Sequence, residues 1–275
     1  MSLPKPNPSS TALVTGASAG IGGAIARELA ARGHGVVLVA RRQDRLEALA
    51  QELSGAHGVR AEPIACDLTK ERDRNRLPGR ISELGLEVEV LINNAGFATG
   101  GPFYEADPKR ELEQVRLLVE APVALTSTFL PAMVERGRGA ILNVASVAGF
   151  QPLPYAAGYS AAKAYVLRFS EAIHHEVRGR GVTVTAVAPP PVETEFWEEA
   201  GWQAKGGRSF EQATPGVARL KPEEVGRAAV KGLEAGDRVV IPGLAVKAAM
   251  QAAQYIPHFV KLPALEWYMR PSGDS

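Results

Sequence analysis

Thr15-Gly16-Ala17-Ser18-Ala19-Gly20-Ile21-Gly22 is the stretch on which the fold turns. It follows a short β-like run, Thr11 to Thr15, and leads into an apolar-periodic segment from Ile21 to Ala31 that Gly33 and Gly35 punctuate. Glycines between a strand and a helix permit tight turning and close approach of backbone amides to an anion. The helix N-terminus beyond them adds a favourable field for negative charge. A glycine turn alone is also compatible with a purely structural role, so the weight falls on what surrounds it.

Outward from that loop, strands and helices alternate. Val36 to Ala40, Arg60 to Ala65, Val88 to Ile92, Ala140 to Ala145, Val182 to Ala188 and Val239 to Ile241 read as strands. Between them, helices are predicted over Arg45 to Leu53, Lys70 to Leu84, Pro108 towards Arg136, Gly158 to Arg178 and Pro222 to Leu233. Short apolar strands alternating with helices indicate an α/β fold of Rossmann type: a doubly wound, parallel, seven-stranded sheet with helices on both faces. No linker or internal repeat divides the chain, so one domain is expected over 1–275, with a core at 11–241 and a helical C-terminal extension at 242–275.

Bulk properties narrow the function classes. The 275 residues are 45% hydrophobic, and 31 Lys and Arg against 30 Asp and Glu leave a formal charge of +1. That balance gives no electrostatic reason to expect nucleic acid or an anionic membrane. Cys66 is the only cysteine, which fits a reducing compartment and a small buried apolar role. Met1 to Ser9 lacks the pattern of a signal peptide, and no apolar run reads as long enough to span a bilayer. A cytoplasmic protein is expected. No metal is expected either, because the adjacent His174 and His175 are poorly spaced for a shared ion and read as surface residues.

The end of the second strand discriminates between dinucleotides. An NAD site carries Asp or Glu there for the ribose hydroxyls, whereas this chain has Ala40 followed by Arg41 and Arg42. Nothing acidic repels a 2′-phosphate, and a guanidinium binds one in forked geometry, so NADP is the expected cofactor. Arg42 is equally placed to be a solvated charge at a helix start. In Cys66-Asp67-Leu68, two roles are open to Asp67: a bond to the adenine amino group or a cap for the next helix. Asn93-Asn94-Ala95-Gly96 presents small residues against which a ring or ribose can lie, and it also suits a plain turn.

Tyr159 and Lys163 are spaced i, i+4 and so share a helix face. A nearby ammonium favours the phenolate and lowers a tyrosine pKa from roughly 10, giving a general acid/base. Ser146 is suited to hydrogen-bond the same substrate oxygen. Each of the three is commonplace alone, as a generic helical pair and a turn or cap residue.

Thr15-Gly16 through Gly22, Asp67, Asn93 to Gly96, Ser146, and Tyr159 with Lys163 together resemble the classical short-chain dehydrogenase/reductase family in order and spacing, over roughly Thr11 to Ile241. The resemblance implies an oxidoreductase acting on a carbonyl or secondary alcohol. Tyr159 matches the family's acid/base, Lys163 the residue that lowers its pKa and holds the nicotinamide ribose, and Ser146 the substrate-oxygen ligand. Val187 to Thr194 matches the nicotinamide-supporting loop, with Pro189, Val192 and Thr194 as its contacts. The family is often dimeric or tetrameric, so a homo-oligomer is expected.

Two positions depart from the family pattern. Leu118 stands where the family has an asparagine that completes a proton relay to the lysine, and leucine cannot bond a water. Gln114 and Glu120 are candidate substitutes, though packed or solvated roles are the default for both. Pro190 replaces a common glycine and removes an amide donor. By the same resemblance, Phe97, Phe150, Gln151, Leu153, Tyr155, Phe196, Trp197 and Trp202 line a pocket suited to an apolar substrate or pack a mobile lid over Pro189 to Gly216. The segment Leu244 to Met269 could cover the pocket, form a subunit contact or touch a membrane surface, and packing on its own domain or on a sister subunit is the expectation. A non-catalytic NADP-binding sensor is the alternative function, with Leu118 its main support. A nucleotide-sugar epimerase is disfavoured because no separate substrate domain is evident.

Overall fold

The computed structural model describes residues 3–196, 203–204, 208–209, 219–253 and 255–270. Runs of Val, Leu, Ile and Ala form β1 (Ser10–Thr15), β2 (Val36–Ala40), β4 (Glu87–Asn93), β5 (Gly139–Val144) and β6 (Val182–Val187), with β3 (Ala61–Ala65) more exposed. A two-residue antiparallel pair, β7 (Gln203–Ala204) and β8 (Arg208–Ser209), lies outside the main sheet, whose last strand is β9 (Val239–Val240). The sheet has seven strands in the order β3-β2-β1-β4-β5-β6-β9, and every pair is parallel.

Side-chain alternation explains why both faces are covered. Ala12 and Val14 of β1, Val36 and Leu38 of β2, and Val90 and Ile92 of β4 bury one face under α1 (Gly20–Ala30), α2 (Gln43–His57) and α7 (Pro222–Ala235). Leu13, Val37, Val39, Leu91 and Ile141 bury the other under α3 (Glu71–Glu83), α5 (Ala121–Arg136) and α6 (Ala157–Glu176). Strands buried on both sides read as continuous apolar runs, as these do. Each fully buried Leu or Ile contributes roughly 1.5–3 kcal/mol, so two such layers dominate the folding energy.

The helix predicted from Pro108 is broken by a change of winding. Asp107 caps α4 (Pro108–Val115) by accepting the Lys109 amide at 3.0 Å. A π turn then runs from Arg116 to Glu120 and leads directly into α5, with the Ala121 amide pairing to the Arg116 carbonyl. By length and composition Pro108–Arg136 could cross a membrane, which the sequence reading did not anticipate. Here Ala121, Leu125 and Met133 pack into the core cluster that holds Leu91 and Ile141. His174 also differs from expectation: it is half-buried, with Nδ1 at 2.7 Å from the Val184 carbonyl oxygen, because α6 lies along β6.

Two helices follow the sheet, α8 (Leu244–Ala253) and α9 (His258–Met269). Lys261 is buried between them and donates to the Ala253 carbonyl at 3.2 Å. Met269 is 1% exposed and belongs to a cluster with Leu118, Leu153 and Tyr159.

Gly181, just before β6, has φ of 75°, and a Cβ there would collide with the Gly137 carbonyl, just before β5. Gly181→Ala should therefore destabilise the protein by roughly 2–4 kcal/mol, read as a lower denaturant midpoint at unchanged slope.

Candidate active site

The strand order reverses between β1 and β4, where doubly wound sheets open a crevice at their carboxyl ends. Polar side chains tie that crevice together. The Thr15 hydroxyl donates to the Ile92 carbonyl at 3.0 Å and accepts the Asn94 and Ala95 amides at 2.9 and 3.1 Å. The Asn94 side chain donates to the carbonyls of Thr15 and Gly16 at 2.9 and 3.2 Å. Asn94 thus braces the glycine loop from β4. Below it, Asn93 donates to Asn143 at 2.8 Å, and Asn143 donates to Ser170 at 2.8 Å. Asn143 and Ser170 carry no motif, and the sequence reading missed them.

The loop leaves room for backbone alone. A Cβ on Gly16 would lie 2.7 Å from Asn94 Nδ2 and 2.8 Å from Ala95 Cα, and one on Gly22 would strike the Gly16 carbonyl. Gly16 and Gly20 both have positive φ, 67° and 55°. Helix α1 begins after Ala19, which offers no side-chain cap, and its first turn holds no acid. Free amides at a helix start, approached over bare glycine, make a site for a phosphate.

A cavity of about 410 Å³ opens over this loop. It is lined by Gly16, Ser18, Ala19, Gly20 and Ile21, by Arg41, Arg42, Asp67 and Leu68, and by Asn94, Ala95 and Gly96. Ser146, Tyr159, Lys163, Pro189, Val192 and Thr194 line the same cavity. Gly22 is the exception among the expected site residues: it lies under the loop, where its role is to admit Gly16. Asp67 accepts the Thr69 amide and hydroxyl at 3.1 and 2.7 Å, a turn that leads into α3, while still facing the cavity. Arg42 is more than a solvated helix-start charge, for its Nη2 donates to Ser18 Oγ at 3.1 Å.

Ser146 accepts the Ala148 amide at 3.1 Å, which starts a short 3-10 turn, and also hydrogen-bonds the Tyr159 phenol. Tyr159 and Lys163 are each 5% exposed on α6. The Lys163 ammonium donates to the Val144 carbonyl at 2.7 Å and stands 5.8 Å from the Tyr159 ring centroid. Burial decides both ionisations. It pushes the Tyr159 phenol up to about 12, the Ser146 bond offsetting only part, and pulls Lys163 down to about 8. Burial therefore outweighs the expected lowering of the tyrosine by the lysine. At neutral pH the pair rests as phenol and ammonium, the proton-donating state.

The apolar wall is only partly the one expected. Phe97, Gln151, Leu153 and Phe196 line the cavity, and the Phe196 ring lies 5.7 Å from that of Tyr159. Phe150 instead packs on Ala145, Val166 and Leu167, outside the cavity. Trp197 and Trp202 lie outside the described residues, as does most of the proposed lid. Tyr155 takes φ of 63°, an unusual strain for a non-glycine residue, and packs beside the cavity. Sequence reasoning missed Leu265, Tyr268 and Met269, which α9 brings onto the cavity. Neither candidate substitute for the relay lines it. Glu120 is paired with Arg74, while Gln114 is buried with Nε2 donating to Thr99 at 2.7 Å. Leu118, 1% exposed, packs with Tyr159 and abuts Gly96.

Comparison with known proteins agrees with this geometry. The very-long-chain 3-oxoacyl-CoA reductase of Bos taurus is 38% identical over 189 residues, 67% of this chain but only 60% of that protein's length. A short-chain dehydrogenase from Sphingobium yanoikuyae, solved in complex with NADPH, is 33% identical with a TM-score of 0.78, covering 97% of this chain and 99% of its own. The bulky-bulky ketone specific alcohol dehydrogenase from Comamonas testosteroni is 29% identical with a TM-score of 0.74, covering 91% of this chain and 96% of its own. Residues 10–204 match the family model described as short chain dehydrogenase. The chain belongs to that family of oxidoreductases.

Proposed function

We propose that this protein is an NADP(H)-dependent reductase that interconverts a carbonyl and a secondary alcohol on a bulky apolar substrate. The observation that carries the reading is the single cavity that holds the glycine loop, Arg41 and Arg42 together with Ser146, Tyr159 and Lys163. Gly16, Ser18, Ala19, Gly20 and Ile21 would hold the pyrophosphate, and Arg41 and Arg42 the 2′-phosphate. Asp67 and Leu68 would flank the adenine and Asn94 to Gly96 its ribose. Pro189, Val192 and Thr194 would support the nicotinamide, with Lys163 and Tyr159 on its ribose. Bound there, the cofactor supplies the hydride. The NADPH-bound relative and the reductases and ketone-specific dehydrogenase among the similar proteins support this assignment.

The chain's own residues handle the proton. Ser146 orients the substrate oxygen, and Tyr159, held neutral by burial, donates its proton to that oxygen as negative charge develops. The Lys163 ammonium then faces a phenolate and stabilises it. Leu153, Phe196, Leu265 and Met269 exclude water and favour an apolar substituent on the carbonyl. Exposed Leu112 and Val115 on α4 and Tyr165 on α6 support a homo-oligomer.

Purified protein given NADPH and a panel of bulky apolar ketones should consume NADPH, followed by its absorbance. Tyr159→Phe should lower turnover by about 10²- to 10⁴-fold while NADPH still binds. Tight NADPH binding without turnover on any ketone would favour a sensor over an enzyme.

The lysine also sets a stability signature. Its folded pKa of about 8 lies below the ordinary 10.5, so between them the unfolded chain holds a proton that the folded protein has shed. Stability from this group therefore rises with pH across that window. The melting temperature of the cofactor-free wild type, minus that of Lys163→Met, should increase from pH 8 to 10.5. A constant difference would contradict burial of the ammonium.

A further inference from the structure

Glu195 has no part in the chemistry above, yet its carboxylate stands among the arginines assigned to the cofactor. It accepts from Arg42 Nη1 at 3.1 Å and, through both oxygens, from Arg45 Nη1 at 3.1 and 3.0 Å. Arg45 and Arg42 together hold its carboxyl below the usual range. The opposite edge of the Arg42 guanidinium, Nε and Nη2, donates to Ser18 Oγ in the glycine loop. Arg42 is therefore spanned between the phosphate loop and Glu195, and all three residues line the cavity. Arg41, by contrast, has no ion-pair partner among the described residues and faces the same cavity.

Resting on the NADP assignment, we propose that Glu195 is a specificity-determining residue. Its carboxylate occupies the Arg42 and Arg45 guanidinium groups until the cofactor's 2′-phosphate displaces it. Two anions cannot share one guanidinium edge without repulsion, so Glu195 and the phosphate compete. The Glu195 pairs are weak competitors. The side chains are 51% exposed for Glu195, 37% for Arg42 and 42% for Arg45, and exposed ion pairs are screened by water and salt. A phosphate brings more charge and accepts several charge-assisted bonds at once, so it prevails. NAD, with a bare ribose hydroxyl there, leaves the carboxylate in place.

The experiment compares wild type with Glu195→Gln, titrated with NADPH, NADH and 2′,5′-ADP at low ionic strength. Because Glu195 is exposed, the variant should melt as the wild type does. The variant should bind NADPH and 2′,5′-ADP about two- to fivefold more tightly and NADH equally well, and the gain should shrink at high salt. Unchanged or weaker NADPH binding by Glu195→Gln, or equal tightening of NADPH and NADH, overturns the proposal alone. Binding of NADH but of neither ligand that carries a 2′-phosphate overturns the NADP assignment and the proposal with it.

Discussion

The reversal of strand order between β1 and β4 is the constraint on which the rest depends. Two parallel strands that lead their chains to opposite sides leave a gap at their carboxyl ends, and something must hold that gap at a fixed width. Thr15 and Asn94 do so with five hydrogen bonds between the ends of β1 and β4, none longer than 3.2 Å. These bonds use the amides and carbonyls that the strands would otherwise leave orphaned. The glycine loop is thereby braced from β4 through its own carbonyls. Gly16 and Gly22 follow from the same closeness, since the Asn94 side chain fills the space a Cβ would need.

Desolvation governs the chemistry on the next strand over. Placing Tyr159 and Lys163 on α6, against the end of β5, buries a phenol and an ammonium together. Burial opposes charge on either group, raising the phenol from 10.0 to about 12 and lowering the ammonium from 10.5 to about 8, so the two move apart and each neutral form gains. The single carbonyl of Val144 keeps the ammonium satisfied without neutralising it.

Most of the β-strands were legible because they are short apolar runs buried on both faces, and such runs have few alternatives. The glycine loop, Arg41, Ser146 and the Tyr159–Lys163 pair were legible because their residue types are demanded by the chemistry at that point of the fold. Leu265, Tyr268 and Met269 were not. They lie more than a hundred residues after Tyr159, on a helix that is apolar on several faces, so no local periodicity shows which face meets the cavity. Glu195 was hidden for the opposite reason: a charge in a polar loop reads as solvated until its partners are known. Phe150 was misplaced because an aromatic after Ser146 has two equally good apolar destinations, the cavity or the cluster around Leu167.

Leu118 is where sequence and structure bear on each other most closely. As a side chain it breaks the expected relay. As a position it sits inside the π turn, where the helical ladder slips by one residue, a local feature often found at functional sites. Leucine instead fills the space against Gly96 and packs with Tyr159. Burial in such apolar surroundings raises the phenol's affinity for its proton. The substitution thus exchanges a route for resupplying the proton for a stronger hold on it.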